Sequence, residues 1–462
     1  MKLLAILRDS LKETLDVKLF YVMVGLSLIV VLLVGSITYK PVSVQERIEF
    51  VNKLQNLAIR QQLAAQPQTQ SLDFHLDTED FQKISDEPEP WLANYRFFYV
   101  VTLSIGKDAA KLSPEDRKLL DNMKDQFKKA ITAEQLERNF HELFPEVKVS
   151  EVPSDNPEKI RYEVTTSKGT VARTRQEWFH EPRLFFGLVP VPVPLFSLNN
   201  IINFIGDQVI GSFGAAFTML ISTIMTASFI PNMLAKGTVD MLLVKPIHRV
   251  TLLIYRFLGG LLFMFFNTVV IMVGIWLGLG LQSGMWVTAF LLCIFVYTFQ
   301  FTMFYAVSTL VAVLTRSAIV CILASFMTWG VLVLVGWTHW FFIEKGRPDK
   351  PVSTTGHWAY VSYDAVHNVL PRYKDLDWLT SKEIKRELHE PRLATRPDLN
   401  DPASVRAYEQ RQKLMEAVYK SEQEKLDQEY GAYTWTSSLI ASSFFIALML
   451  GLACWRFATR DY

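Results

Sequence analysis

The sequence predicts an α-helical integral membrane protein: six transmembrane helices, an amphipathic N-terminal interfacial helix and a small α+β extracytoplasmic insert. Three observations carry this prediction. First, charge is distributed unevenly along the 462 residues: 20% are charged, yet Phe257–Thr315 holds no Asp, Glu, Lys or Arg. A soluble core has no use for so long an uncharged run, whereas two membrane helices and their connection do. Second, charge-free runs recur at Leu19–Tyr39, Gln208–Ala235, Ser317–Ile343 and Tyr430–Trp455. Each supplies the roughly 20 residues that span a bilayer. Third, two long polar stretches, 40–200 and 343–432, separate these runs and have the composition of solvated inserts.

The elements follow in order. Residues 1–18 place Leu4, Leu7, Leu11 and Leu15 at three- and four-residue spacing, with Arg8, Lys12, Glu13 and Asp16 on other faces. That pattern suits a helix lying in the membrane interface, with a plain extension of the first span as the alternative. The first span, 19–39, is longer than the roughly 7–15 apolar residues of a signal peptide, so it is expected to be a retained anchor. The remaining spans are expected near 207–230, 252–280, 285–313, 318–342 and 433–455, which places helices two to five within 207–342 and the sixth with a tail in 433–462.

The insert 40–200 is too long to lack structure of its own. Ser113-Pro114-Glu115-Asp116 reads as a helix start, and Thr132-Ala133-Glu134-Gln135 as a capping box opening a second helix. Arg96–Ser104, Val147–Val152 and Lys159–Thr166 read as strands. The segment LFFGLVPVPVPLF (184–196) is apolar, but its prolines forbid a spanning helix, so it belongs at the outer interface. In the second insert, 343–432, Val405–Tyr430 has the mixed charge of a solvated helix.

Basic residues orient the chain. Lys2, Arg8, Lys12 and Lys18 precede the first span; Lys236, Lys245, Arg249 and Arg256 flank the second-to-third loop. Arg316 marks the fourth-to-fifth turn, and Arg456 and Arg460 the tail. All fall on one side, which makes both termini cytoplasmic and both inserts external. The net charge of +1, with acids interleaved among bases, leaves no basic stripe for nucleic acid.

Motifs for chemistry are absent. No GxxxxGK[ST], HExxH, CxxC or GxSxG occurs. Cys293, Cys321 and Cys454 lie in expected spans, where cysteine packs as a small apolar residue. His75–Asp80 reads as a solvated acidic turn whose spacing fits no metal signature. His357, His367 and His389 read as surface residues. The spans themselves offer only Asn267 and Gln300 as deep polar side chains, better suited to interhelical hydrogen bonds than to ion coupling.

One stretch stands out, GTVDMLLVKPIHR at 237–249. Gly237 and Thr238 can end one helix and cap another, and Pro246 can stop it. Met241, Leu242 and Leu243 form an apolar knob, with Asp240 beside it and Lys236, Lys245 and Arg249 flanking it. Such a knob suits a groove on a partner, with the bases held at the membrane surface. A simple re-entry turn is the alternative.

The stretch SFIPNMLAKGTVDMLLVKPIHRVTLLIYRFLGG (228–260) resembles the first cytoplasmic loop of type-2 ABC exporter permeases, whose pattern G-T-x-x-x-L-L-x-x-P-x-x-R is matched by Gly237, Thr238, Leu242, Leu243, Pro246 and Arg249. The six-span layout, the basic turn Thr315-Arg316-Ser317 and the FATRDY tail agree with that family. The first external insert has no counterpart in its short members, and Asn232 stands where the family often has Glu. The resemblance implies a cytoplasmic coupling loop, 231–250, docking on a separate ABC ATPase subunit through Gly237, Thr238, Asp240, Leu242, Leu243, Lys245, Pro246 and Arg249. It further implies a second permease copy or paralogue, the lipid of a bacterial inner membrane as surroundings, no nucleic-acid partner, no directly bound cofactor, ATP used only through the partner, and export of a substrate the sequence does not identify. Two other readings stay open: a membrane-anchored platform acting through its external inserts, and a secondary transporter.

Overall fold

The computed structural model describes residues 18–65, 72–105, 122, 131–154, 159–172, 174–191, 196–208, 215–234, 248–340, 365–390, 402–431 and 433–459. Residues 1–17 of the interfacial helix expected at 1–18, and the start of the helix expected from Ser113, lie outside them. The described residues form two compact units: a mixed α/β unit from 39–183 and 188–200, and a helical unit from the remainder.

In the mixed unit, α2 (Val44–Ala64) starts with a capping box. Glu46 N donates to Ser43 Oγ at 3.1 Å, and Ser43 N donates to the Glu46 carboxylate at 2.9 Å. Strands β2 (Leu72–Lys83), β3 (Tyr95–Ile105), β4 (Val147–Val152) and β5 (Lys159–Thr166) form an antiparallel sheet in the order β2-β3-β5-β4. The three expected strands match β3, β4 and β5 closely, and α3 (Ala133–His141) begins at the expected box on Thr132.

His75–Asp80 is a correction: it lies within β2 rather than in a turn, with His75 opposite Thr102 and Asp77 opposite Val100. Phe74 and Leu76 are buried while His75 and Asp77 are exposed, the alternation of a half-buried strand. The acids sit on the solvated face, where Arg161 pairs with Asp80 at 2.8 Å. β2 is an edge strand, and Asn56 of α2 supplies the amide pairing that a further strand would give. Its Oδ1 accepts from Leu76 N at 2.8 Å, and its Nδ2 donates to Leu76 O at 3.0 Å.

Alternate residues of these strands, Phe74 and Leu76, Phe97, Tyr99 and Val101, and Tyr162 and Val164, pack with Ile48, Leu136, Phe144, Trp91 and Trp178 as one core. A second sheet joins β1 (Thr38–Pro41), β6 (Phe179–Leu184), β7 (Val189–Pro190) and β8 (Phe196–Ser197). Trp178, preceding β6, is wholly buried and donates its Nε1–H to Val42 O at 2.8 Å.

In the helical unit, α1 (Lys18–Gly35) packs along α7 (Arg249–Ser283). Small residues allow the approach: a Cβ on Gly278 would sit 2.8 Å from Gly35 Cα, and one on Gly274 would meet Val31 at 2.6 Å. Ser27 Oγ donates to Asn267 Oδ1 at 2.9 Å, the interhelical role expected of Asn267. Helices α8 (Ala289–Thr315) and α9 (Ala318–His339) follow after the turns at Gly284 and Arg316, both in the left-handed region. Their dihedrals let Gly284 N and Arg316 N donate back to Gly280 O and Ala312 O, closing each helix. α8 is the central helix, 61% buried in its apolar window against 17% for α9. The last helix is α12 (Trp435–Thr459).

The second expected span, 207–230, is described at 207–208 and 215–230. α4 (Leu198–Phe204) precedes α5 (Ala215–Thr226), and α6 (Phe229–Met233) follows after a turn at Ala227-Ser228. Pro231 enters α6 in its first turn, where a missing N–H leaves no intrahelical bond unmade.

Candidate functional site in the helical unit

Two regions of the helical unit gather candidate side chains, one at each end of its long helices. The first is made of the residues on either side of the segment 235–247 in the chain. Gly237, Thr238, Asp240, Leu242, Leu243, Lys245 and Pro246 lie in that segment, outside the described residues; Arg249 opens α7. What the structure places is the pair of flanks. Ile230, Met233 and Leu234 on the incoming side are buried, as are Leu252 and Leu253 on the outgoing side. They share one apolar cluster with Ala312 and Val313 of α8, Cys321 of α9, and Ala453 and Phe457 of α12. Phe229 adds an edge-on contact with Phe263, ring centroids 6.0 Å apart. Asn232 is exposed and outside the cluster.

This cluster joins the ends of five helices: the exit of α6, the start of α7, the end of α8, the start of α9 and the end of α12. Arg249, Arg316 and Arg456 sit on those same ends. Close-packed interiors transmit displacement because they compress little. One block of side chains thus ties together the ends of four long helices, α7, α8, α9 and α12.

The second region corrects the reading of the insert 343–432 as merely solvated. α10 (Tyr373–Leu388) packs against α8, α9 and α12 through Tyr373, Leu376, Leu379 and Leu388, all buried. It brings carboxylates to the long helices, which carry none of their own. Gln300 of α8 donates through Nε2 to Asp377 Oδ1 at 2.8 Å and to Tyr373 O at 3.1 Å. Lys374 Nζ meets the other Asp377 oxygen at 2.9 Å. Glu387 caps the N-terminus of α8, accepting from Thr288 N at 2.8 Å, Thr288 Oγ1 at 3.0 Å and Ala289 N at 2.6 Å. A carboxylate there meets both the unpaired N–H groups and the positive end of the helix dipole.

His367 is a further correction, being buried rather than superficial. Its ring stacks on His339 of α9, centroids 3.6 Å apart, and its Nε2 lies 3.2 Å from Asp375. Asp375 in turn accepts from Ser438 Oγ of α12 at 3.4 Å. Lys385 pairs with Asp207 at 3.2 Å, and Lys382 with Asp427 of α11 (Pro402–Tyr430) at 2.8 Å. α11 is the helix expected at 405–430, and its Leu426 and Tyr430 are buried. An apolar cavity of about 240 Å³ lies between α5, α8 and α9, walled by Met219, Leu220, Phe304, Phe326 and Trp329.

Among the described residues four helices are long and apolar enough to cross a bilayer, α7, α8, α9 and the stretch Glu416–Thr459 that ends in α12, with α1 a shorter apolar helix. Helices of this kind packed on a shared core define a multi-pass membrane protein. The chain belongs to the ABC-2 family transporter proteins, whose family model matches residues 4–462. Among curated proteins and among solved structures, none matches it. Membership makes the chain a permease subunit of an ABC transporter, which associates with an ABC ATPase.

Proposed function

We propose that this chain is the membrane half of an exporter, coupled to a separate ATPase through residues 237–249 and completed by a second permease copy or paralogue. The observation that carries this reading is the apolar cluster at the flanks of that segment. ATP enters only through the partner, whose closure pushes the segment. The packed ends of α6, α7, α8, α9 and α12 pass the displacement along the bundle, which shifts between two arrangements. In this reading all six spans cross a bacterial inner membrane, both termini are cytoplasmic, and both inserts face outward.

Leu242 and Leu243 are the residues to test. Replacing both by Asp should abolish co-purification with the cognate ATPase while the protein still inserts in the membrane. Undiminished co-purification would refute the assignment of this segment. The alternative of an outward-acting platform is favoured by one observation: the mixed unit has its own core and a groove of about 500 Å³ between α2 and β2. Substrate-stimulated ATPase activity in the reconstituted complex favours export; a stable external complex indifferent to ATP favours the platform.

A further inference from the structure

The turn Leu184-Phe185-Phe186-Gly187 is unfavourable twice over for a chain in water. Phe185 and Phe186 both take left-handed backbone, φ 51° and 56°, and Gly187 follows at φ 96°. Bulky L-residues adopt that region rarely, and two in succession need something to hold them. The strain does not bury the rings. Phe185 is exposed, Phe186 is 69% exposed, and the adjoining Leu188 is 81% exposed.

Ser36 supplies the hold. Its Oγ accepts from Phe185 N at 3.2 Å, and its carbonyl accepts from Phe186 N at 2.8 Å. Ser36 directly follows α1, and its own N donates to Leu32 O at 2.9 Å, completing the last turn. The two phenyl rings are thereby fixed at the C-terminal end of an apolar helix. At the same level α1 exposes Leu32 and Leu33, and the end of α7 closes on it, Gln282 Nε2 donating to Gly35 O at 3.2 Å. α7 exposes Leu281 near its end, and the turn beyond it exposes the ring of Trp286. Exposed leucines ending in a tryptophan are the side chains of a hydrocarbon boundary.

We propose that the Phe185-Phe186 tip inserts into the lipid interface beside the C-terminal end of α1, a wedge that sets the depth of that end of the helix. Lipid is the occupant that fits, because the tip is continuous with the lipid-facing side of α1 and residues 184–188 carry no charge. The inference rests on reading α1 as membrane-spanning.

The test is nitroxide depth measurement on full-length protein in phosphatidylcholine–phosphatidylglycerol vesicles. Cys454 is replaced by Ser, and Cys293 and Cys321 are buried, so a label reports the introduced site. F186C is compared with L32C on α1 and K148C on an exposed face of β4; L188C repeats the reading should F186C perturb the turn. The ratio of oxygen to nickel-chelate accessibility at 186 should be several-fold above that at 148 and close to that at 32. A water-like ratio at 186 and 188 with a lipid-like ratio at 32 overturns the wedge and leaves the membrane reading of α1 standing. Water-like ratios at all four sites overturn both.

Discussion

Replacing Lys374 by Met should be much more damaging than replacing it together with its partner. Lys374 Nζ lies 2.9 Å from Asp377, with side chains only 14% and 7% exposed. At an effective dielectric near 20, unit charges at that separation attract by about 6 kcal/mol. Removing both ions from water costs several kcal/mol each, so the pair is close to neutral for stability. Lys374→Met alone leaves Asp377 with the Gln300 amide but no cation, a loss of about 3–5 kcal/mol. Asp377→Asn keeps the hydrogen bond from Gln300 and leaves the more exposed partner, whose long stem can carry its ammonium to water. Its cost should be smaller, about 1–3 kcal/mol. The double variant should return to within about 1 kcal/mol of the parent. Thermal unfolding of the purified full-length protein in one detergent gives the order: Lys374→Met lowest, Asp377→Asn intermediate, the double variant near the parent. A double variant as unstable as the sum of the singles would refute the reasoning, since additive losses mean that the two side chains do not interact.

Two further outcomes follow from the same geometry. Gly278→Ala places a methyl 2.8 Å from Gly35 Cα, and backbone cannot swing aside, so it should part α1 from α7 and lower the melting temperature. Gly330→Ala has nothing within 4 Å and should be neutral or stabilising by up to about 1 kcal/mol; equal effects at both sites would count against the close approach. In the mixed unit, burial holds the His180 imidazole down at about 4 against its ordinary 6.5, while its Nδ1–H donates to Trp178 O at 3.0 Å. The folded state thus favours the neutral ring, and its contribution is complete above pH 6.5. It should be lost as pH falls towards 4, by at most about 3 kcal/mol. Hydrogen exchange at β5 and β6, corrected for intrinsic rates, should show the loss, and His180→Gln should flatten it; protection independent of pH would contradict it.

Much of the mixed unit was legible in its residues. Val, Tyr and Phe with partial alternation mark β3, β4 and β5, and Thr132 and Gln135 reproduce their capping box in space. β2 was obscured by its acids, although Phe74 and Leu76 already carried the two-residue period. Ser43-Val44-Gln45-Glu46 announced α2 with a motif as clear as that at Thr132, yet it drew no expectation. In α10 the stripe Tyr373, Leu376, Leu379, Ile384 and Leu388 marks an apolar face, but a stripe does not say what it meets. Its acids therefore looked solvated. Asp377 meets Gln300 from a position 77 residues away, a separation no local pattern encodes.

The sequence by itself determined that the chain is a membrane protein, because hydrocarbon tolerates few charges and the charge-free runs are read directly. It also set the local starts and stops of helices and strands, since caps and turns are satisfied within a few residues. Tertiary structure alone decided which elements share a core. It tied Ser36 to Phe185, seated Glu387 on the start of α8, and gathered five helix ends around Leu253 and Phe457. Those partners are far apart in the chain, and the free energy that selects them comes from packing and from satisfying buried polar groups, which only the folded arrangement specifies.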